Sequence, residues 1–135
     1  AGKLQADAGR AARCRVGGKM LDPRRRLNPL IERGGIGLAA GDEGIEAAKR
    51  TAISLLSTLK MELGGDLSRV RRIVKVNGWV NCTDNFKDQP KVMNGCSDLL
   101  VAVFGAKGKH ARTSLGTNAL PSNIAIEIEM IVEVE

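Results

Sequence analysis

"NIAIEIEMIVEVE", residues 123–135, alternates strictly between two kinds of side chain. Ile124, Ile126, Ile128, Met130, Val132 and Val134 fall on one side, while Ala125, Glu127, Glu129, Ile131, Glu133 and Glu135 fall on the other. A period of two over this length is a β-strand with one buried face. The second face is acidic but carries Ile131 as well, so it is not purely a solvent face.

Working backwards from this strand, the chain supplies the layer that covers its aliphatic face. "GDEGIEAAKRTAISLLSTLKMELGG" (41–65) places Ile45, Ala48, Ala52, Leu55, Leu56, Leu59 and Leu63 at helical spacing. Asp42 and Glu43 suit a helix start, and Gly64-Gly65 supplies the stop. "KVMNGCSDLLVAVFG" (91–105) predicts a second helix with Val92, Met93, Cys96, Leu99, Leu100, Val103 and Phe104 inward, and Pro90 in its first turn. Asn94-Gly95 and Ser97-Asp98 weaken that helix by propensity, so packing must hold it. Between the helices, "RVRRIVKVNGWVNC" (69–82) has the valine and isoleucine content of a strand. Gly78 inside it marks a bulge or a close backbone approach, and Trp79 reads as core. A further strand is expected near 111–117, then the turn "NALPSN" (118–123). Two helices on one face of a sheet make a two-layer α+β sandwich.

Composition narrows the function classes. The 135 residues suit one domain, and with only Trp79, Phe86 and Phe104 aromatic the core must be aliphatic. Of the net charge of +6, residues 1–44 hold nine Lys/Arg against five Asp/Glu, with a peak at "PRRRLNP" (23–29). That run reads as a solvated loop, with phosphate contact as the minor alternative. Cys14, Cys82 and Cys96 form no C-x-x-C pair, and one histidine is too few for an ordinary zinc site. No metal is expected. Unpaired thiols suit a reducing compartment, and no apolar run approaches membrane-spanning length. The expected location is the cytoplasm, with an organelle as the alternative.

The amino-terminal third is less regular. "ARCRVGG" (12–18) is weakly strand-like, and "LIERGGIG" (30–37) reads as a short extended piece before a glycine turn.

One segment demands a functional reading. His110, the single histidine, precedes Arg112 at the mouth of the 111–117 strand. The two residues are either a basic loop tip or the edge of an anion pocket. Arg112 and Ser114 share one side of their strand, and Glu127 lies on the acidic side of its own. Parity thus leads to the expectation that Arg112 and Glu127 both turn away from the helix-covered core. His110 is read as structural or surface.

From "DQPKVMNGCSDLLVAVFGAKGKHARTSLGTNALPSNIAIEIEMIVEV" the chain resembles the Rid family, the YjgF reactive-intermediate deaminases also called endoribonuclease L-PSP. Upstream, "EGIEAAKRTAISLLSTLK", "GGDLSRV" and "IVKVNGWVN" follow the same pattern. The resemblance covers 41–135 strongly and reaches about residue 30, within a single domain of residues 1–135 whose first thirty diverge. It implies a chorismate-mutase-like fold, assembled as a homotrimer around a central β-barrel with pockets between subunits.

The resemblance also implies an activity: hydrolysis of 2-imino acids, or their enamine forms, to 2-keto acids and ammonia. It implies no cofactor. Arg112, in His110-Ala111-Arg112-Thr113, would clamp the substrate carboxylate, since arginine presents a planar fork that lysine lacks. Glu127, which opens the Glu-x-Glu of the last strand, would orient or activate water. Ser97, with Asn94 as the alternative, stands near the family's ligand-touching helix position, and Ser114 shares Arg112's side. Gly18 in "VGGKML" (16–21) matches a family glycine, but Gly17 and Lys19 replace its serine and glutamine, and the chain has no tyrosine. Two rival functions share these residues: a noncatalytic binder of small carboxylates, and a ribonuclease that inhibits translation. The second has thin support, because RNA recognition usually stacks bases on aromatic side chains.

Overall fold

The computed structural model describes residues 42–135 throughout, together with the backbone of two short strands at 4–6 and 11–14. Gly18, the 30–37 segment and the "PRRRLNP" run lie outside the described residues. In chain order the elements are β1 (Leu4–Ala6), β2 (Ala11–Cys14), α1 (Asp42–Glu62), β3 (Val70–Asn81), α2 (Gln89–Phe104), β4 (Ala111–Thr117) and β5 (Ile126–Val134). The strands form one sheet in the order β1-β2-β5-β3-β4. β5 lies antiparallel to both β2 and β3, whereas β3 and β4 run parallel, joined across the sheet by α2.

The alternation in the last strand survives folding: Ile126, Ile128, Met130 and Val132 are buried, and the glutamates between them are half-buried. Their register partners on β3 are Val80, Gly78, Val76 and Ile73, so one continuous aliphatic face crosses both strands. Ala48, Ala52, Leu55 and Leu59 of α1 and Val92, Met93, Cys96 and Leu100 of α2 close over it. All but a few of these side chains are fully out of water, which makes their burial the main stabilising term.

Gly78 marks a close approach. A Cβ built there would collide with the Sδ of Met93, which is itself fully buried. The register irregularities of β3 fall earlier, at Val70/Arg72 and Ile73/Lys75. Gly95, which weakens α2 by propensity, lets α2 ride against the backbone carbonyl of Ile45 on α1. Packing between the helices thus holds the weak stretch, as expected.

Two side chains depart from their expected places. Val103 of α2 is 46% exposed, although Phe104 beside it packs against the core. Trp79 is not core: it is paired with Leu115 and Glu127 on the sheet face opposite the helices, where it is half-buried. That open face also carries Asn77 bonded to Glu129 at 2.9 Å and Arg72 bonded to Glu133 at 2.7 Å. Leu115 is 52% exposed on it. No helix among the described residues is long and apolar enough to cross a membrane.

Candidate active site

Strand β4 ends the sheet on one side, so its far edge has no neighbouring strand among the described residues. Arg112 lies near its start, in register with Val76. Paired residues of adjacent strands point to the same side, and Val76 belongs to the fully buried core face. Arg112 therefore turns towards α2. The expectation that it points away from the helices is overturned. β4 holds only small and polar residues around Leu115, and such a strand has no apolar alternation to say which side is inward.

The guanidinium of Arg112 is held by the helix it faces. Its Nη1 donates to Asn94 Oδ1 at 2.8 Å and to Ser97 Oγ at 3.1 Å. Asn94 and Ser97 sit one turn apart on α2, so both meet the same nitrogen. Both candidates for the helix position, Ser97 and Asn94, thus meet Arg112. Nη1 has two hydrogens and both are engaged, which leaves the Nε and Nη2 edge of an exposed side chain facing solvent. The charge is also felt by the buried Cys96: burial pushes its thiol up to about 12, against a smaller downward pull from Arg112.

His110 takes part in the same cluster. Its Nε2 lies 3.0 Å from Ser97 Oγ and its Nδ1 lies 2.6 Å from the carbonyl oxygen of Gly108. These contacts agree with a structural histidine. Ser114, two residues after, faces the same way, and its buried Oγ has no hydrogen-bond partner among the described residues.

Glu127 lies elsewhere. It pairs with Trp79 on the open face, two strands from β4. Within one chain, Arg112 and Glu127 are thus on opposite faces of the sheet, roughly 10 Å apart across the strands and offset by a further ~10 Å along them. A single copy does not bring the two together.

A separate groove of about 470 Å³ opens at the far end of β4. It is lined by Cys82, Asp84, Lys87, Gln89 and Thr117, among others, with Gln89 Nε2 spanning to the Phe86 carbonyl at 2.8 Å. None of its lining residues touches Arg112, where the hydrogen-bonding groups of α2 converge. Cys82 and Cys96 are both buried free thiols. Among the described residues, no group of three His, Cys, Asp or Glu side chains converges on one point.

Against known proteins, residues 28–134 match the family model described as "YjgF/chorismate mutase-like, putative endoribonuclease". The chain belongs to this family. Protein TCP17 of Trypanosoma cruzi is 44% identical over 92 residues, covering 67% of this chain; the match spans 57% of the length of that relative. A crystal structure of a protein of unknown function from Agrobacterium tumefaciens superposes with a TM-score of 0.81 at 33% identity, over 96% of this chain and 81% of that one. A "putative endoribonuclease" from Shewanella oneidensis also gives 0.81, at 23% identity over 98% of this chain and 84% of the other, which speaks for the fold alone. The two-helix, one-sheet sandwich is thus the family's chorismate-mutase-like fold.

Proposed function

We propose that the protein hydrolyses 2-imino acids to 2-keto acids and ammonia, in a pocket completed by a second copy of the chain. The observation that carries this is the half-engaged guanidinium of Arg112. With Nη1 tied to Asn94 and Ser97, the remaining Nε–H and Nη2–H present the side-on fork that matches a carboxylate. The substrate carboxylate would bind there, fixing the adjacent imine carbon.

The chemistry is then addition of water across C=N. A carboxylate base takes a proton from water as its oxygen bonds to the imine carbon, and a proton reaches nitrogen. The C–N bond of the resulting aminoalcohol breaks to release ammonia and leave the keto group. Glu127 has the right group for the base, but it faces away from its own Arg112. A partner's copy would supply it. The open face, with Trp79, Leu115 and Ile131 among glutamates, is the surface left for assembly into a homotrimer. The buried thiols suit a reducing compartment.

The Shewanella structure is that of a "putative endoribonuclease". RNA is the weaker reading for this chain, since Phe86 is buried and Trp79 sits on the other sheet face from Arg112. A binder of small carboxylates would need only the clamp. Ammonia release from freshly generated 2-iminobutyrate, above the buffer rate, separates the three. Release supports the deaminase; 2-ketobutyrate binding without release selects the binder; RNA cleavage with neither selects the ribonuclease.

A further inference from the structure

His110 and Ser97 are joined in a way that the carboxylate clamp itself does not explain. A carbonyl oxygen can only accept, so the 2.6 Å contact to Gly108 puts the ring proton on Nδ1 of His110. In the neutral imidazole Nε2 is then a bare acceptor, and its 3.0 Å partner Ser97 Oγ must be the donor. The hydroxyl proton is thereby committed to histidine. Its oxygen lone pairs are left to receive Nη1–H of Arg112 at 3.1 Å. Each proton in the chain from Arg112 through Ser97 and His110 to Gly108 runs in one direction.

Without the histidine, the Ser97 hydroxyl is free to turn. A serine in mid-helix readily donates back to a carbonyl of its own helix, as Thr51 does to Ala47 at 3.0 Å. Gly108 is buried, which fixes the carbonyl that anchors the ring.

We propose that His110 and Ser97 are positioning residues for the carboxylate site. His110, through Nε2, orients the Ser97 hydroxyl, and that oriented oxygen, with Asn94, locks the guanidinium of Arg112 with its Nε/Nη2 edge outward. The ligand class, a small 2-keto or 2-imino carboxylate, rests on the function proposed above; the lock itself does not.

Substitutions at His110 separate the two contacts. His110→Gln keeps an acceptor near the position of Nε2, whereas His110→Asn keeps a donor near Nδ1 for Gly108 and loses the contact to Ser97. Ser97→Ala removes the oriented oxygen and favours the helix. Two readouts apply to the full chain: ¹⁵N spectra of its arginine side chains without ligand, and titration with 2-ketobutyrate. Separate Nη1 and Nη2 signals for Arg112, reporting hindered rotation, are expected in the native protein and in His110→Gln. They should merge in Ser97→Ala and His110→Asn at unchanged melting temperature. The 2-ketobutyrate dissociation constant should rise about three- to tenfold in the latter two and stay near native in His110→Gln. Separate signals surviving in both Ser97→Ala and His110→Asn overturn the lock, whatever binds. A His110→Gln variant that behaves like His110→Asn overturns the role of Nε2. Correct Nη behaviour with no 2-ketobutyrate binding by the native protein refutes the ligand class and leaves the lock standing.

Discussion

Replacing Arg112 by alanine should separate catalysis from stability cleanly. The side chain is exposed, and its hydrogen bonds go to Asn94, itself exposed, and to half-buried Ser97. Once the guanidinium is gone, water can reach Asn94, and Ser97 keeps its contact with His110. The loss in folding stability should therefore be about 1 kcal/mol or less, a few degrees in Tm. Turnover is a different matter. A carboxylate held by two charge-assisted bonds loses about 2–3 kcal/mol when the fork is removed, which is roughly a 30- to 150-fold fall in kcat/KM. Arg112→Lys keeps the charge but cannot hold Asn94, Ser97 and a bidentate ligand from one nitrogen, so it should lose most of the activity too. The assay is 2-ketobutyrate and ammonia formation from freshly generated 2-iminobutyrate, with melting temperature and sedimentation measured on the same samples. A well-folded Arg112→Ala protein that keeps its turnover refutes the clamp. A variant whose activity falls only as folded protein is lost makes the arginine structural.

Sedimentation should show a homotrimer at micromolar concentration, and a species near the chain mass of 14.4 kDa contradicts the shared pocket. Because Arg112 and Glu127 occupy opposite faces of one chain, co-refolding equal amounts of Arg112→Ala and Glu127→Gln should restore about one pocket in four by random mixing in a closed ring; no recovery places the base elsewhere. Gly78→Ala should destabilise the fold by about 1–3 kcal/mol in urea unfolding, since Met93 is fully buried and has nowhere to retreat, and a neutral result would mean the core yields there. Cys96, whose thiol is raised from 9.0 to about 12, contributes its full share of stability below pH 9. Above that the unfolded chain ionises first, so stability falls towards pH 12 by at most about 1.4 kcal/mol per pH unit. Cys96→Ala should flatten that alkaline slope, and an unchanged slope assigns it to other groups.

Much of the fold was legible because burial is periodic. The alternation from Ile126 to Val132 and the helical spacing from Ala48 to Leu59 state which atoms leave water, and elements whose core faces are that regular can pack in few ways; only the ends depart, with Ala125 buried and Ile124 and Val134 half-buried. Gly78 signalled a close approach, since only a missing side chain admits Met93 there, whereas Gly95 read only as a weak helix residue until the Ile45 carbonyl was seen against it. The resemblance of 41–135 to its family likewise rests on residues in linear order, and the family match over 28–134 agrees with it.

The tertiary structure alone decided which way Arg112 faces. Parity says that Arg112 and Ser114 share a side, but β4 has no aliphatic row to mark that side as inward; the parallel register with Val76 does so. Trp79 was misplaced for the related reason that a lone large side chain reads as core until its strand partners, Leu115 and Glu127, are known. The linkage of Arg112 to Asn94, Ser97 and His110 joins two elements separated in the chain by a turn. Sequence periodicity reports how residues are spaced within an element, and hydrogen bonds between elements depend on how those elements are set against one another.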